Sequence, residues 1–166
     1  MNHYKSWAGL NKQLNECLCP PLKNRITYFL TRFHDVHNSY GRAAIRLDGK
    51  ELVIFSWIEE IRQEMQIDQF MSENQGSYEA AEQALKQQFD KNCTYCDMSF
   101  LAAALAFRDL SIQDALQSEN LIIRVLAILD KRAGKRTLQR IASEGAYKKL
   151  PQWVQQFYEL RFGALS

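Results

Sequence analysis

The chain lacks the features of a secreted, membrane-spanning or disulfide-stabilised protein. Its N-terminus has no apolar block of the kind that forms a signal peptide. No apolar run approaches the roughly 20 residues that a membrane span requires. Four cysteines in 166 residues are too few for a disulfide scaffold, and a reducing compartment would keep them as thiols or metal ligands. These absences predict a cytoplasmic protein with no membrane partner.

The sequence also lacks the motifs of common enzymes. It contains no P-loop, no glycine-rich dinucleotide turn and no paired zinc-protease histidines. His34 and His37 lie close together near Asp35, and they are candidates for metal ligands or an acid/base pair. A catalytic metal usually has three protein ligands, however, and no third ligand stands out here. We therefore interpret both histidines as loop residues, and we expect no catalytic residue and no cofactor.

Two cysteine pairs could supply the four thiolates of a tetrahedral zinc site. They are Cys17 with Cys19 and Cys93 with Cys96. The first is an unusual half-site at the end of a predicted helix, and cysteine is often simply a small buried hydrophobic residue. A redox role for the second would need a thioredoxin-like strand, turn and helix, which the preceding acidic segment does not provide. Buried thiols without a metal are the favoured interpretation.

Length and composition predict one globular domain. A chain of 166 residues with 46% hydrophobic and 24% charged residues has ordinary globular proportions. Ser6 to Cys17 is typical of a capped amphipathic helix, which Pro20-Pro21 must end. The residues from Arg25 to Phe33 are rich in aromatic and β-branched side chains and predict a strand.

The most distinctive turn signal is Asp48-Gly49, which suits a two-residue type I′ hairpin turn. The predicted register places Arg46 opposite Glu51 and Ile45 opposite Leu52. One face of the hairpin would then carry a set of apolar residues. These are Ala43, Ile45, Leu47, Leu52 and Ile54.

The remainder, from Ile58 onward, has helical periodicity. A break is expected near residues 72–76, Ser111 with Asp114 resembles a helix cap, and Ser118 is the expected start of a buried central helix. Pro151 suits the first turn of a last apolar helix. The predicted fold class is therefore α+β, with an N-terminal helix, an antiparallel β-meander of about three strands and a C-terminal helical bundle. Residues 6–57 would form the helix and hairpin region, and residues 58–166 the helical region, of a single domain spanning residues 1–166.

Charge is distributed unevenly along the chain, although the net charge is only +2. Residues 57–90 contain eight acidic and two basic residues, a net charge of −6. Residues 120–149 contain eight basic and two acidic residues, a net charge of +6. This asymmetry predicts a dipolar molecule unless folding brings the two regions together.

The basic junction is the candidate binding site. We define it as Lys131, Arg132, Lys135, Arg136 and Arg140. If Lys131 and Arg132 close the central helix, they complement its negative dipole end. If Thr137 begins the next helix, Lys135 and Arg136 lie near a positive dipole end, and Arg136 and Arg140 form a like-charge pair one turn apart. Such positions favour an anionic partner.

Several partners fit this junction. An acidic protein is the preferred one, which would make the chain a non-enzymatic adaptor or immunity-like inhibitor. Nucleic acid or a phosphate-bearing ligand is the alternative, although the spacing between Gly134 and Thr137 departs from a helix-turn-helix and the low net charge gives weak steering. The chain's own acidic helices, or solvent alone, could also face the junction. A metal-dependent enzyme using His34 and His37 is a third hypothesis, and a homo-oligomer through the hairpin edge or last helix is possible.

Seven blocks of the sequence form a joint pattern. The blocks are Trp7 with Leu10 and Leu14, Leu18-Cys19-Pro20, Leu22-Lys23-x-Arg25, Thr31-Arg32, Gly41-Arg42, Asp48-Gly49-Lys50-Glu51, and Glu119-Asn120 through Asp130-x-Arg132-x-Gly134-Lys135-Arg136-Thr137-Leu138. Together they resemble a functionally uncharacterised family of small bacterial cytosolic proteins. The family pattern includes Cys19 but neither Cys17 nor the pair at Cys93 and Cys96, which argues against a zinc site. The resemblance implies no particular activity.

Overall fold

The computed structural model describes residues 6–32, 41–89, 93 and 95–165, which form three strands and eight α-helices. This architecture confirms the predicted α+β fold class. Within these ranges, no helix combines the length and the apolar character needed to cross a membrane. In chain order the elements are α1 (Trp7–Cys17), β1 (Ile26–Arg32), β2 (Gly41–Leu47), β3 (Lys50–Ser56), α2 (Trp57–Asn74), α3 (Tyr78–Phe89), α4 (Asp97–Arg108), α5 (Ile112–Gln117), α6 (Leu121–Leu129), α7 (Lys135–Glu144) and α8 (Gln152–Gly163). Short 3-10 turns occur at Pro20–Leu22 and Ala146–Lys149.

The three strands form the predicted antiparallel meander in the order β1-β2-β3. Asp48 and Gly49 have φ values of 50° and 83°, as a type I′ turn requires. Arg46 pairs with Glu51 across the hairpin at 3.1 Å, and Arg42 contacts the same carboxylate. These hydrogen bonds, led by the one from Arg42, lower the pKa of Glu51. The turn and its charged pair are therefore as predicted.

The predicted register is wrong beyond Glu51. Ile45 pairs with Val53 because a bulge leaves Leu52 without a direct partner on β2. Val53 and Phe55 are consequently buried, whereas Leu52 and Ile54 are only half-buried. One extra residue therefore exchanges the two faces of β3.

The core lies between the sheet and the helices α4, α6 and α8. Phe100 of α4 stacks on Phe55 of β3 with ring centroids 5.0 Å apart, and Trp153 of α8 meets Phe55 edge-on at 6.2 Å. Every residue of α6 from Val125 to Leu129 is buried. The central helix is thus where the sequence places it, and it carries the basic junction at its C-terminal end.

Two predicted helix starts shift by one or two residues. Asn120, rather than Ser118, caps α6 by accepting hydrogen bonds from the backbone N–H groups of Ile122 and Ile123. Ser118 instead lies at the end of α5 and accepts a hydrogen bond from the Asn120 N–H. Pro151 precedes α8 as its N-cap residue rather than occupying its first turn.

Other local predictions are confirmed. The Ser6 hydroxyl accepts from the Gly9 N–H at the start of α1, and the Ser111 hydroxyl accepts from the Asp114 N–H at the start of α5. Gln75, in the left-handed conformation, separates α2 from α3. The acidic residues of these two helices whose side chains the structure describes are all exposed. They are Glu64, Asp68, Glu73, Glu79 and Glu82.

Candidate functional site

A backbone bridge holds the basic junction against the end of α1. The Cys19 N–H donates to the Leu129 carbonyl at 2.9 Å, and the Lys131 N–H donates to the Cys17 carbonyl at 2.8 Å. Leu18 and Asp130 form the centre of this short antiparallel pairing. The segment around Leu18 therefore fixes the position at which the chain leaves α6.

Asp130 organises the turn between α6 and α7. Its side chain is fully buried. The carboxylate accepts from the Arg132 backbone N–H at 2.7 Å, from Arg132 Nε at 3.1 Å and from Arg132 Nη2 at 2.9 Å. The Asp130 carbonyl also accepts from the Ala133 N–H at 3.1 Å, which closes the turn. A single acidic residue thus satisfies donors on both the backbone and the side chain of the turn.

Arg132 is held on three sides by its own molecule. Besides its contacts with Asp130, it donates to the Leu110 carbonyl at 3.3 Å, and its guanidinium lies over the Phe107 ring at 5.5 Å. The hydrogen bond with Asp130 is the main reason that the pKa of Arg132 is raised. The charge of Arg132 is therefore largely compensated within the fold.

The structure corrects the structural reason that we gave for two of the junction cations. Lys131 and Arg132 do not close a helix, because α6 ends at Leu129 and both residues lie in the following turn. Lys131 is exposed, and its backbone N–H is the donor to Cys17.

Lys135 and Arg136 are the first two residues of α7. Gly134 is the N-cap and offers no side-chain acceptor to the first turn. The helix begins at Lys135, two residues before its predicted start at Thr137. Both cations are exposed, and neither has a carboxylate of another described residue within 4 Å. Lys135 and Arg136 thus lie at the positive end of α7, inside its first turn rather than before it.

Arg140 lies one turn further along the same exposed side of α7. It approaches Glu144 at 4.0 Å, and the side chains of this pair are 64% and 58% exposed, so solvent screens the interaction strongly. Leu138 packs into the core on the opposite side of the helix. Lys135, Arg136 and Arg140 are therefore all exposed residues of α7, and we call these three side chains the α7 basic surface.

Access to the α7 basic surface is open at its N-terminal end. A Cβ atom built on Gly134 would have no heavy atom within 4 Å beyond its chain neighbours. A partner can therefore approach the backbone N–H groups that α7 leaves without a side-chain cap. Positive side chains and a positive helix end together favour a carboxylate or phosphate group at this position.

Two of the cysteines, Cys17 and Cys93, offer little reactive thiolate. Burial raises the pKa of the Cys93 thiol to about 12, although a hydrogen bond from the Tyr95 N–H opposes this effect. Burial also raises the pKa of Cys17. In the part of the chain that the structure describes, no three His, Cys, Asp or Glu side chains come together as a metal site would require. His34 and His37 lie outside the described residues.

The structure also contains a concave site that was not predicted from the sequence. A cleft of about 260 Å³ lies between α5, α7, the 3-10 turn Ala146–Lys149 and α8, with Arg124 of α6 on its lining. In the sequence, Arg124 is only one of the eight basic residues of residues 120–149. Its neighbours in the cleft come from distant helices, so no local pattern could identify them.

Comparison with known proteins identifies a family but no activity. Comparisons with curated proteins and with solved structures give no match. A family model described as the SF0329 protein family matches residues 6–162, and this span includes both the basic junction and the cleft. That description names no reaction, ligand or partner. Because the match covers nearly the whole sequence, the chain belongs to the SF0329 protein family.

Proposed function

We propose that this chain is a non-enzymatic binding protein that docks on an acidic protein through the α7 basic surface. In this proposal it acts as an adaptor or inhibitor in the bacterial cytoplasm. The free cysteines suit such a reducing compartment.

The observation that carries the proposal is a pair of cations in the first turn of α7, neither of which has an ion pair with another described residue. Acidic residues stabilise a helix N-terminus, and cations there cost about 0.3–1 kcal/mol each. The first turn of α7 contains no acidic residue. Arg136 and Arg140 add a like-charge repulsion of a few tenths of a kcal/mol, roughly. An acidic partner would relieve both costs, which gives these cations a role that folding alone does not provide.

An acidic protein fits this surface better than nucleic acid does. Proteins that bind duplex DNA through its backbone commonly contact about 6–10 phosphates. The α7 basic surface provides three cations, and the whole chain has a net charge of only +2. A few carboxylates presented by a folded partner match this number more closely. Nucleic acid and phosphate-bearing ligands remain outcomes of the experiment.

The test is affinity capture from a bacterial lysate at low salt, with the full chain immobilised. Three baits are compared: the unsubstituted protein, the double variant Lys135→Glu with Arg136→Glu, and the control Lys148→Glu with Lys149→Glu. The control changes charge by the same amount at two other exposed residues. Both protein and nucleic acid are identified in the salt eluate.

We expect an acidic protein that elutes with salt from the unsubstituted and control baits and is absent from the Lys135 and Arg136 variant. The double variant should be at least as stable as the unsubstituted protein, because acids replace cations at a helix N-terminus. Lost capture could then not be attributed to unfolding. Equal capture by both variants, or an eluate that contains only nucleic acid, would contradict the proposal.

A further inference from the structure

The cleft beside α7 has a mixed lining, in which an apolar part is accompanied by polar and charged side chains, namely Gln113, Gln117, Arg124, Arg140 and Glu144. Its apolar lining comes from Leu116 of α5, Ile141 of α7 and the rings of Tyr147 and Tyr158. Ligand pockets typically combine such a lining with a few polar groups. Its volume of about 260 Å³ lies just below the roughly 300–1,000 Å³ of pockets that enclose drug-sized ligands. The cleft therefore suits a smaller molecule.

The aromatic wall of the cleft is rigid. Tyr147 stacks on Tyr158 with ring centroids 5.3 Å apart and an interplanar angle of 4°. Both rings also meet Phe162 edge-on, at 5.2 Å and 6.2 Å. Tyr158 is 3% exposed, and burial raises its pKa, so its hydroxyl is neutral at physiological pH. A fixed and neutral wall of this kind favours an apolar or aromatic ligand group.

Arg124 is positioned to bind an anion against this wall. Its Nε donates to the Ser118 carbonyl at 2.5 Å, and its guanidinium lies close enough to the Tyr158 hydroxyl to oppose the rise in the pKa of Tyr158 that burial causes. The residue has no carboxylate of another described residue within 4 Å. Because a guanidinium has five N–H donors, these two contacts leave donors for a ligand oxygen. Arg124 is thus a preorganised cation that forms no ion pair with any carboxylate in the part of the chain that the structure describes.

We propose that this cleft binds a small organic carboxylate with an apolar or aromatic body. Arg124 holds the carboxylate, and the body lies against Tyr147, Leu116 and Ile141. Arg140 at the rim adds a second positive charge, which Glu144 partly offsets. A carboxylate matches the resulting single excess charge better than a phosphate dianion does. The cleft shares Arg140 with the α7 basic surface, but Lys135 and Arg136, which the docking test changes, do not line it.

The test uses backbone amide NMR spectra of the full chain, titrated with defined probes. Benzoate and hexanoate present a carboxylate with an apolar body, acetate lacks the body, benzamide lacks the charge, and phenyl phosphate replaces the carboxylate. We expect benzoate or hexanoate to shift the amide resonances of α5, α7 and residues 146–149. Acetate and benzamide should bind at least tenfold more weakly, because each lacks one of the two recognised groups.

Two variants test the two parts of the cleft separately, one by removing its cation and the other by filling its space. Arg124→Gln removes the cation and should weaken benzoate binding about tenfold or more, since hydrogen bonds to charged groups are the stronger ones. Ala146→Phe fills the cleft from an exposed position on its lining and leaves Arg124 in place. Lys12→Glu is the control, because Lys12 is exposed and does not line the cleft, and it should bind benzoate as the unsubstituted protein does.

Three results would overturn the proposal. The first is the absence of amide shifts with every probe. The second is a set of shifts confined to another part of the molecule. The third is benzoate binding that Ala146→Phe leaves unchanged. Tighter binding of phenyl phosphate than of benzoate would reject the carboxylate as the ligand class. Because the docking test uses different residues, either proposal can fail without the other.

Discussion

Replacing Asp130 by alanine should destabilise the fold more than the removal of an ordinary surface charge. The Asp130 side chain is fully buried and accepts three hydrogen bonds from Arg132, at 2.7, 3.1 and 2.9 Å. Exposed ion pairs contribute about 0–1 kcal/mol, whereas breaking a buried pair costs about 3–5 kcal/mol. The energy of the Asp130–Arg132 pair should lie between these two cases, since the Arg132 side chain is 40% exposed and can be rehydrated.

We therefore expect Asp130→Ala to lower the free energy of unfolding by about 2–4 kcal/mol. A loss of about 3 kcal/mol corresponds to a decrease in Tm of about 6–12 °C for a chain of this length. Asp130→Asn should cost less, because an amide oxygen can still accept from the Arg132 backbone N–H. Arg132→Met should cost a similar amount to Asp130→Ala, since it leaves a buried carboxylate without its cation.

The assay is a double-mutant cycle measured by urea unfolding. The three tryptophans and the far-UV circular dichroism signal report the transition. Asp130→Ala, Arg132→Met and the double variant are compared with the unsubstituted protein. We expect a coupling energy of about 1–3 kcal/mol between the two positions, as for residues that share one hydrogen-bond network.

Small and additive effects would refute this reasoning. If each single variant cost less than about 0.5 kcal/mol and the cycle showed no coupling, Arg132 would be an ordinary exposed cation. It would then be as available to a partner as Lys135 and Arg136 are. The cycle therefore decides whether Arg132 stabilises the turn or belongs to the docking surface.

Two further predictions concern the hairpin turn and the buried tyrosine. Gly49→Ala should lower the free energy of unfolding by about 1–2 kcal/mol in urea denaturation, because Gly49 has a φ of 83° and L-residues disfavour this region. Gly163→Ala is the control, since Gly163 lacks a positive φ and has open space around it; equal costs at both sites would argue against backbone strain. Burial raises the pKa of Tyr28 well above 10, so its stabilising effect is complete below the unfolded pKa of about 10 and is lost as pH rises above it. Stability measured above pH 10 should fall by up to about 1.4 kcal/mol per pH unit for this group, and Tyr28→Phe should reduce that slope; an unchanged slope would reject the assignment to Tyr28.

Local signals in the sequence predicted local structure well. Asp48-Gly49 specified a turn because both residues tolerate positive φ, and Ser6 specified a helix start because its hydroxyl reaches the N–H of Gly9. These outcomes depend on residues within a few positions of one another. The prediction that the central helix starts at Ser118 was wrong for a related reason. Two good capping residues lie two positions apart, and the side chain of the second, Asn120, caps α6.

Long-range contacts explain what the sequence could not show. The bulge at Leu52 brings Phe55 to the buried face, where it stacks on Phe100 of α4. Neither strand of the hairpin contains a signal for that contact. The candidate site has the same limitation, because the pairing of Leu18 with Asp130 joins segments from opposite ends of the chain. The sequence predicted uncompensated charge at Lys135 and Arg136, but it could not show that Asp130 holds Arg132.

The junction uses neighbouring positive charges in two different ways. Asp130 compensates Arg132 and fixes the turn, while Lys135 and Arg136 emerge at a helix end that Gly134 leaves without a side-chain cap. A carboxylate from a partner can therefore relieve two unfavourable features at once, by pairing with a cation and by accepting from a first-turn N–H group. Hydrogen bonds already hold the backbone of the turn, so the ordering cost of the contact falls mainly on the exposed Lys135 and Arg136 side chains. One cation supports the turn, and two have no ion pair with another residue that the structure describes. This division is the physical reason for placing the docking surface on α7.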